Sequence, residues 1–118
     1  MYNYKDLEVW QKSKELARET YLLTQSIDRN HFDLISQIRK STISIPSNIA
    51  EGVGRGHDKE TLHHLYISRG SLYELETQLI LAYELNIFKE EIFKSLSTQI
   101  ESVRRLLQAF IQYYLNKK

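Results

Sequence analysis

The chain has no cysteine, one proline, four glycines and one tryptophan in 118 residues. Without cysteine there is no disulfide scaffold, no thiolate zinc site and no thiol nucleophile. Neither charge sign dominates: 16 Lys and Arg face 15 Asp and Glu, for a net charge of +1. That balance argues against a histone-like basic binder and against an acidic tail protein. No run approaches the ~18 apolar residues of a membrane span, and the opening Met-Tyr-Asn-Tyr-Lys-Asp-Leu-Glu is without a signal peptide's apolar stretch. A single domain in a reducing, cytosolic setting is expected, with no membrane contact. A chain of this size should bury about two-thirds of its unfolded surface, enough for a real core.

Few prolines and glycines also mean few helix breaks, and Gly52, Gly54 and Gly56 fall together in one stretch. Between breaks the apolar residues recur with a helical period, not with the alternation of a strand. Phe93, Leu96, Ile100, Val103, Leu107, Phe110 and Tyr114 form an unbroken seam. Leu62, Leu65, Tyr66, Leu72, Tyr73, Leu79, Ile80 and Tyr83 give the inward stripe expected of the preceding segment, with Asp58 as its N-cap and Asn86 as its stop. Trp10, Ala17, Tyr21 and Leu22 or Leu23 mark one side of the first segment. In the second, Ile35, Ile38, Thr42, Ile45, Ile49 and Val53 carry one face straight through Pro46. Either one helix kinks near Thr42, or a shorter helix stops and Ser44 caps a fresh start. The unbroken period favours the single kinked helix. The sequence therefore predicts an all-α fold, an antiparallel up-and-down four-helix bundle over 1–118, with helices at about 6–27, 31–54, 58–86 and 89–115.

Two patterns exceed what a monomeric bundle needs. The third helix ends on Leu79-Ile-Leu-Ala-Tyr-Glu-Leu-Asn-Ile-Phe88, apolar nearly all round, and the fourth contains a similar stretch at 106–115. A helix apolar on every side needs burial on every side. Leu79, Leu81, Tyr83 and Leu85 are accordingly expected in subunit contacts. The second pattern is a polar stripe, Gln37, Ser41, Ser44, Asn48 and Glu51, parallel to the isoleucine face. On the third helix Ser71, Glu74 and Gln78 share a face, Gly70 and Ser71 permit close approach, and Arg69 and Glu76 interrupt the inward stripe. Arg39 or Arg69 against Glu51, Glu74 or Glu76 would satisfy buried polar groups, in a structural network that sets helix register.

Catalytic and metal patterns are sparse. Di-iron bundles use two Glu-x-x-His motifs and two further glutamates. Here there is one, Glu60-Thr-Leu-His63, so no metal or other cofactor is expected. No Gly-x-Ser-x-Gly elbow occurs, and Gly52-Val-Gly-Arg-Gly56 follows a helix and has no Lys-Ser/Thr ending, unlike a phosphate loop. Charge is polarised along the chain: residues 60–88 carry −3 and residues 89–118 carry +3. Cations at Arg55, Arg104, Arg105, Lys117 and Lys118 are the candidate phosphate contacts, with Tyr113 and Tyr114 available for stacking.

Gln37-Ile-Arg-Lys-Ser-Thr-Ile-Ser-Ile-Pro-Ser-Asn-Ile-Ala-Glu-Gly52, Gly54-Arg55 and Ser68-Arg-Gly-Ser-Leu-Tyr-Glu-Leu-Glu-Thr-Gln-Leu79 carry a resemblance, as does the opening Asp6-Leu-Glu-Val-Trp-Gln-Lys-Ser13. The chain resembles the bacterial four-helix bundle proteins encoded within 23S rRNA intervening sequences. That resemblance implies four antiparallel helices, a homopentameric ring around a central channel and no known enzymatic activity. A related branch, the accessory proteins of diversity-generating retroelements, binds nucleic acid and a protein partner through a basic surface; those proteins are more basic than this chain. The resemblance marks Arg39, Ser44, Pro46, Asn48, Glu51, Gly52, Gly70, Ser71, Glu74 and Glu76 as determinants of fold and assembly. It also leads to a reading of self-association with modest RNA or DNA binding, or of a scaffold for a protein partner.

Overall fold

Four long amphipathic segments with short polar connections bury their stripes most simply by packing antiparallel. The computed structural model, which describes residues 3–117, has helices α1 (Glu8–Thr24), α2 (Phe32–Gly54), α3 (Asp58–Glu84) and α4 (Glu90–Leu115). Single 3-10 turns stand at Tyr4–Asp6 and Arg29–His31. Each helix packs on two neighbours, α1 on α2 and α4, α3 on α2 and α4, and α2 with α3 is the most extensive pair. The result is an up-down-up-down rod about 49 Å long and 20 Å across, the all-α bundle that the periodicity predicts.

Boundaries differ from the sequence reading where side chains compete for the backbone. α1 starts at Glu8, not near residue 6, because Asn3 accepts a hydrogen bond from the Lys5 N–H and holds residues 4–6 in a 3-10 turn. Asp58 is the first residue of α3, with His57 in the N-cap position. α3 stops at Glu84, two residues before the expected Asn86. Asn86 adopts φ 62°, its N–H bonds to the Tyr83 carbonyl, and the Ile87 N–H bonds to the Ala82 carbonyl. That pair of bonds is a Schellman stop, which needs a left-handed residue that Asn tolerates.

α2 runs unbroken through Pro46, whose ring is buried, so the single helix is the arrangement found. Every residue of its expected stripe, Ile35 to Val53, is buried, and so are Leu96, Ile100, Val103, Leu107 and Tyr114 of α4. The buried faces of α1 and α3 agree with the expected ones only in part: in α1, Ala17 is buried and Trp10 and Leu23 are half-buried against the core. Of the expected α3 stripe, Leu65, Leu72 and Leu79 are buried and Leu62 is half-buried against the core, whereas Tyr66, Tyr73, Ile80 and Tyr83 are exposed, and Thr61, Ser68, Ser71, Leu75 and Ala82 complete the buried face. In α1 Tyr21 and Leu22 are exposed while Ser13, Thr20 and Thr24 are buried. Those hydroxyls reach the core because each donates to a carbonyl of its own helix, Trp10, Leu16 and Thr20 respectively, at 2.7–3.0 Å.

Candidate functional site

The α2–α3 hairpin positions the motif residues. A loop of three residues, Arg55 to His57, joins the helices, with Gly56 at φ 74°. Gly52 lets them close: the Thr61 hydroxyl donates to its carbonyl at 2.7 Å. A Cβ on Gly52 would lie 2.8 Å from the His64 Cβ and 3.1 Å from the Thr61 carbonyl oxygen. Along the seam, Ser68 Oγ donates to the Ile45 carbonyl at 3.0 Å and Ser71 Oγ to Ser44 Oγ at 2.8 Å. Asn48 Nδ2 donates to the Ser44 carbonyl at 2.9 Å and to Ser44 Oγ at 3.0 Å. Its Oδ1 therefore faces His64 Nδ1, 3.1 Å away, and that nitrogen carries the proton.

The other ring nitrogen of His64 points toward the solvent edge, 3.9 Å from a Glu51 carboxylate oxygen. Glu51 accepts a hydrogen bond from Arg55 at 2.7 Å, and Arg55 reaches Glu60 at 3.9 Å. Arg55 holds the Glu51 carboxyl below its ordinary range, mainly by hydrogen bonding, with His64 adding to the effect; Glu51 in turn raises Arg55. The seam thus runs from buried hydroxyls through an amide and an imidazole to an exposed ion pair.

Chemically it is a closed network. A hydrolase of the serine type needs a hydroxyl hydrogen-bonded to its base. Ser44 meets His64 only through the Asn48 amide, which does not relay a proton as a base does. Among the described residues no three His, Asp or Glu side chains group as a metal site would require. His63 stands beside His64 with ring centroids 5.5 Å apart, and its Glu-x-x-His partner Glu60 is exposed.

The structure distributes the other nominated residues widely. Arg39 is not on the Glu51 side: its Nε donates to Thr24 Oγ1 at 2.9 Å and its guanidinium lies over the Tyr21 ring of α1. Arg69 lies over the Tyr66 ring. Gly70 is exposed, and Ser71 is in the seam. Glu74 and Glu76 are exposed; Glu76 acts on Arg104 across the α3–α4 pair. The neighbouring Gln78 has a buried Oε1 with no hydrogen-bond partner among the described residues.

The candidate phosphate contacts do not form one patch. Arg55 and Lys117 sit at the same end of the bundle, where Lys117 bonds to Asp58 at 3.0 Å. Arg104 and Arg105 lie about 20 Å back along α4. Arg104 is hydrogen-bonded to Glu101, which raises the arginine and lowers the carboxyl. Arg105 is exposed. Lys118 lies outside the described residues.

Of the expected subunit-contact residues, Leu79 is taken up by the chain's own core, 1 % exposed, and is unavailable to a neighbour. Leu81, Tyr83 and Leu85 are exposed, and Tyr83 stacks on Phe93 with centroids 4.5 Å apart. Tyr66, Tyr73 and Ile80 join them, alternating along α3 with Gly70 and Thr77. Between these lies a shallow depression of about 320 Å³ lined by Gly70, Tyr73, Glu74, Thr77 and Gln78.

Sequence reasoning missed Thr61, His64 and Ser68 as members of the seam. Their signal was present: Thr61, His64, Ser68 and Ser71 step 3, 4, 3, mirroring Ser44, Asn48 and Glu51 on α2.

The family model of the 23S rRNA-intervening sequence proteins matches residues 5–109. The fold is similar to the crystal structure of a protein of unknown function from the S23 ribosomal protein family of Bacteroides thetaiotaomicron. The TM-score is 0.80 at 25 % identity, over 88 % of this chain and 95 % of that one. No match is found among curated proteins. No helix among the described residues is long and apolar enough to cross a membrane.

Proposed function

The chain belongs to the 23S rRNA-intervening sequence protein family, and from that premise we propose a non-catalytic, cytoplasmic bundle that self-associates into a ring and binds nucleic acid modestly. The observation that carries the assembly is the exposed row Tyr66, Tyr73 and Ile80, with Leu81 and Leu85 beside it. Monomers rarely leave so many large apolar side chains together in water. Small residues between large ones, Gly70 and Thr77, leave a depression suited to a neighbour's side chain. The acidic α3 segment and the basic α4 segment are complementary, which suits a head-to-tail contact, and such contacts form a ring when the rotation between copies closes. The resemblance in the motif residues supports five copies.

Light scattering tests the assembly: an oligomer near five times the 14.0 kDa chain mass is expected, and a clean monomer refutes it. Nucleic-acid affinity is expected to be modest and to fall steeply with salt. A gel-shift series that retains neither RNA nor DNA at low salt removes that part. The pairing of Arg55, Arg104 and Lys117 with carboxylates favours a second reading, a ring that scaffolds a protein partner. A partner that stays attached after nuclease treatment supports that alternative.

A further inference from the structure

The side of the molecule where α1 and α2 lie together differs from the α4 side in how its cations are partnered. Trp10, Lys14 and Tyr21 recur at spacings of four and seven, so they share one face of α1. Two depressions open along it. One, of about 280 Å³, is lined by Tyr21, Phe32, Ser36, Arg39 and Lys40. The other, of about 410 Å³, is lined by Lys5, Trp10, Gln11, Lys12, Lys14 and Glu15, all of α1 and the turn before it. Both combine lysine or arginine with an aromatic ring.

Arg39 is held there by α1 and not by an ion pair. Besides its bond to Thr24, its Nη2 donates to the Tyr21 carbonyl at 3.4 Å, and its carbon stands 4.7 Å from the Tyr21 centroid. These contacts leave the rest of its five N–H donors without a protein acceptor among the described residues. Among the described residues, Arg39, Lys40, Lys5 and Lys12 have no carboxylate within ion-pair distance, and Lys14 has its neighbour Glu15, at 3.6 Å. Phe32 is 69 % exposed, more than any other large hydrophobic residue of the described chain. Burial does not account for an aromatic ring so placed at a cavity rim.

The geometry points to the groove that these two depressions mark along α1, with the start of α2 beside its C-terminal end, as a binding site for a single-stranded polynucleotide. Phosphates meet Arg39 and Lys40 in one depression and Lys5 and Lys12 in the other, while bases stack on Phe32 and Trp10. Cations that neutralise phosphates, alternating with rings that offer stacking faces, are what an unpaired strand requires. A duplex keeps its bases stacked on one another and has no use for the rings. The Trp10-to-Tyr21 separation, about 16 Å along α1, gives room for several nucleotides. This inference rests on the nucleic-acid part of the proposed function and moves its contact surface from α4 to α1 and α2.

The test is fluorescence anisotropy with labelled oligouridylate and oligothymidylate of about eight nucleotides. It uses the full chain and its Phe32→Ala, Lys40→Glu and Arg104→Glu/Arg105→Glu variants. Phe32→Ala and Lys40→Glu are expected to weaken binding about fivefold or more, and Lys40→Glu to lower the salt exponent by about one. The chain's one tryptophan, Trp10, provides a readout independent of any variant, because a base stacked on it changes its fluorescence. Binding of both strands supports contact with phosphate and base alone; binding of RNA only supports the groove with the 2′-hydroxyl as a further contact. Loss of affinity confined to the Arg104/Arg105 variant, with Trp10 fluorescence unmoved, overturns the groove and leaves the nucleic-acid reading standing. No binding of either strand by the unaltered protein at low salt overturns both.

Discussion

Replacing Gly52 by alanine tests the close approach of α2 to α3. In an open helix position the change stabilises, by about 1 kcal/mol of helix propensity. Here the new methyl meets the His64 Cβ at 2.8 Å and the Thr61 carbonyl oxygen at 3.1 Å. Neither is the end of a flexible side chain, so α2 and α3 must move apart. Overpacking of this kind costs about 1–3 kcal/mol, and weakening the Thr61-to-Gly52 hydrogen bond adds about 1 kcal/mol. The net expectation is a loss of about 2 kcal/mol, or a fall in Tm of about 6–10 °C for a chain of this length. Gly54 is the control, because a Cβ there meets nothing within 4 Å. Gly54→Ala should leave stability unchanged or raise it slightly. Thermal unfolding followed by circular dichroism, at one fixed protein concentration, reads both. If Gly52→Ala melts at or above the temperature of Gly54→Ala, close packing is not what glycine supplies at position 52.

Leu79→Ala should cost about 2–5 kcal/mol in denaturant unfolding, since the side chain is buried within one chain. Leu81→Glu, at a position 44 % exposed, should instead keep the helical circular dichroism and lower the mass seen by light scattering. Asn48→Ala leaves Ser44 and His64 without their shared partner and should cost about 1–3 kcal/mol, measured in urea. Acid should destabilise through Glu51. Its folded pKa lies below its ordinary 4.5, so its contribution is complete above that value and is lost as pH falls through the folded pKa. Glu51→Gln should therefore flatten the acid side of the Tm-against-pH curve, and an unchanged slope would show that the Arg55 pair does not contribute.

The α2 stripe was legible residue by residue, and the α4 stripe nearly so, with Phe93 and Phe110 half-buried at its edge and Ile111 buried beside it. Each is an apolar row with polar residues opposite. Continuity of the isoleucine face also outweighed Pro46 as a breaker, since burial along a whole helix exceeds one lost hydrogen bond. The candidate site was only half legible. The α2 side of the seam stood out as a polar stripe, but of the network expected between Arg39 or Arg69 and Glu51, Glu74 or Glu76, Arg39 turns toward α1, Arg69 lies over Tyr66 and Glu51 takes Arg55 as its partner. Which cations are neutralised depends on carboxylates brought from other turns and other helices, as with Lys117 and Asp58, 59 residues apart.

Local pattern was enough for helix number, helix type, the order of turns and the left-handed stop at Asn86, because each depends on residues within one or two turns. Choosing faces in α1 and α3 needed the packed molecule. A helix apolar nearly all round has no single stripe, so neighbouring helices select which of Leu79 and Ile80 goes inside. Serine and threonine count as polar in any pattern, yet Ser13, Thr20 and Ser68 enter the core once nearby carbonyls accept their hydroxyls. A hydrogen bond that cancels a side chain's need for water is a matter of geometry, and composition carries no record of it.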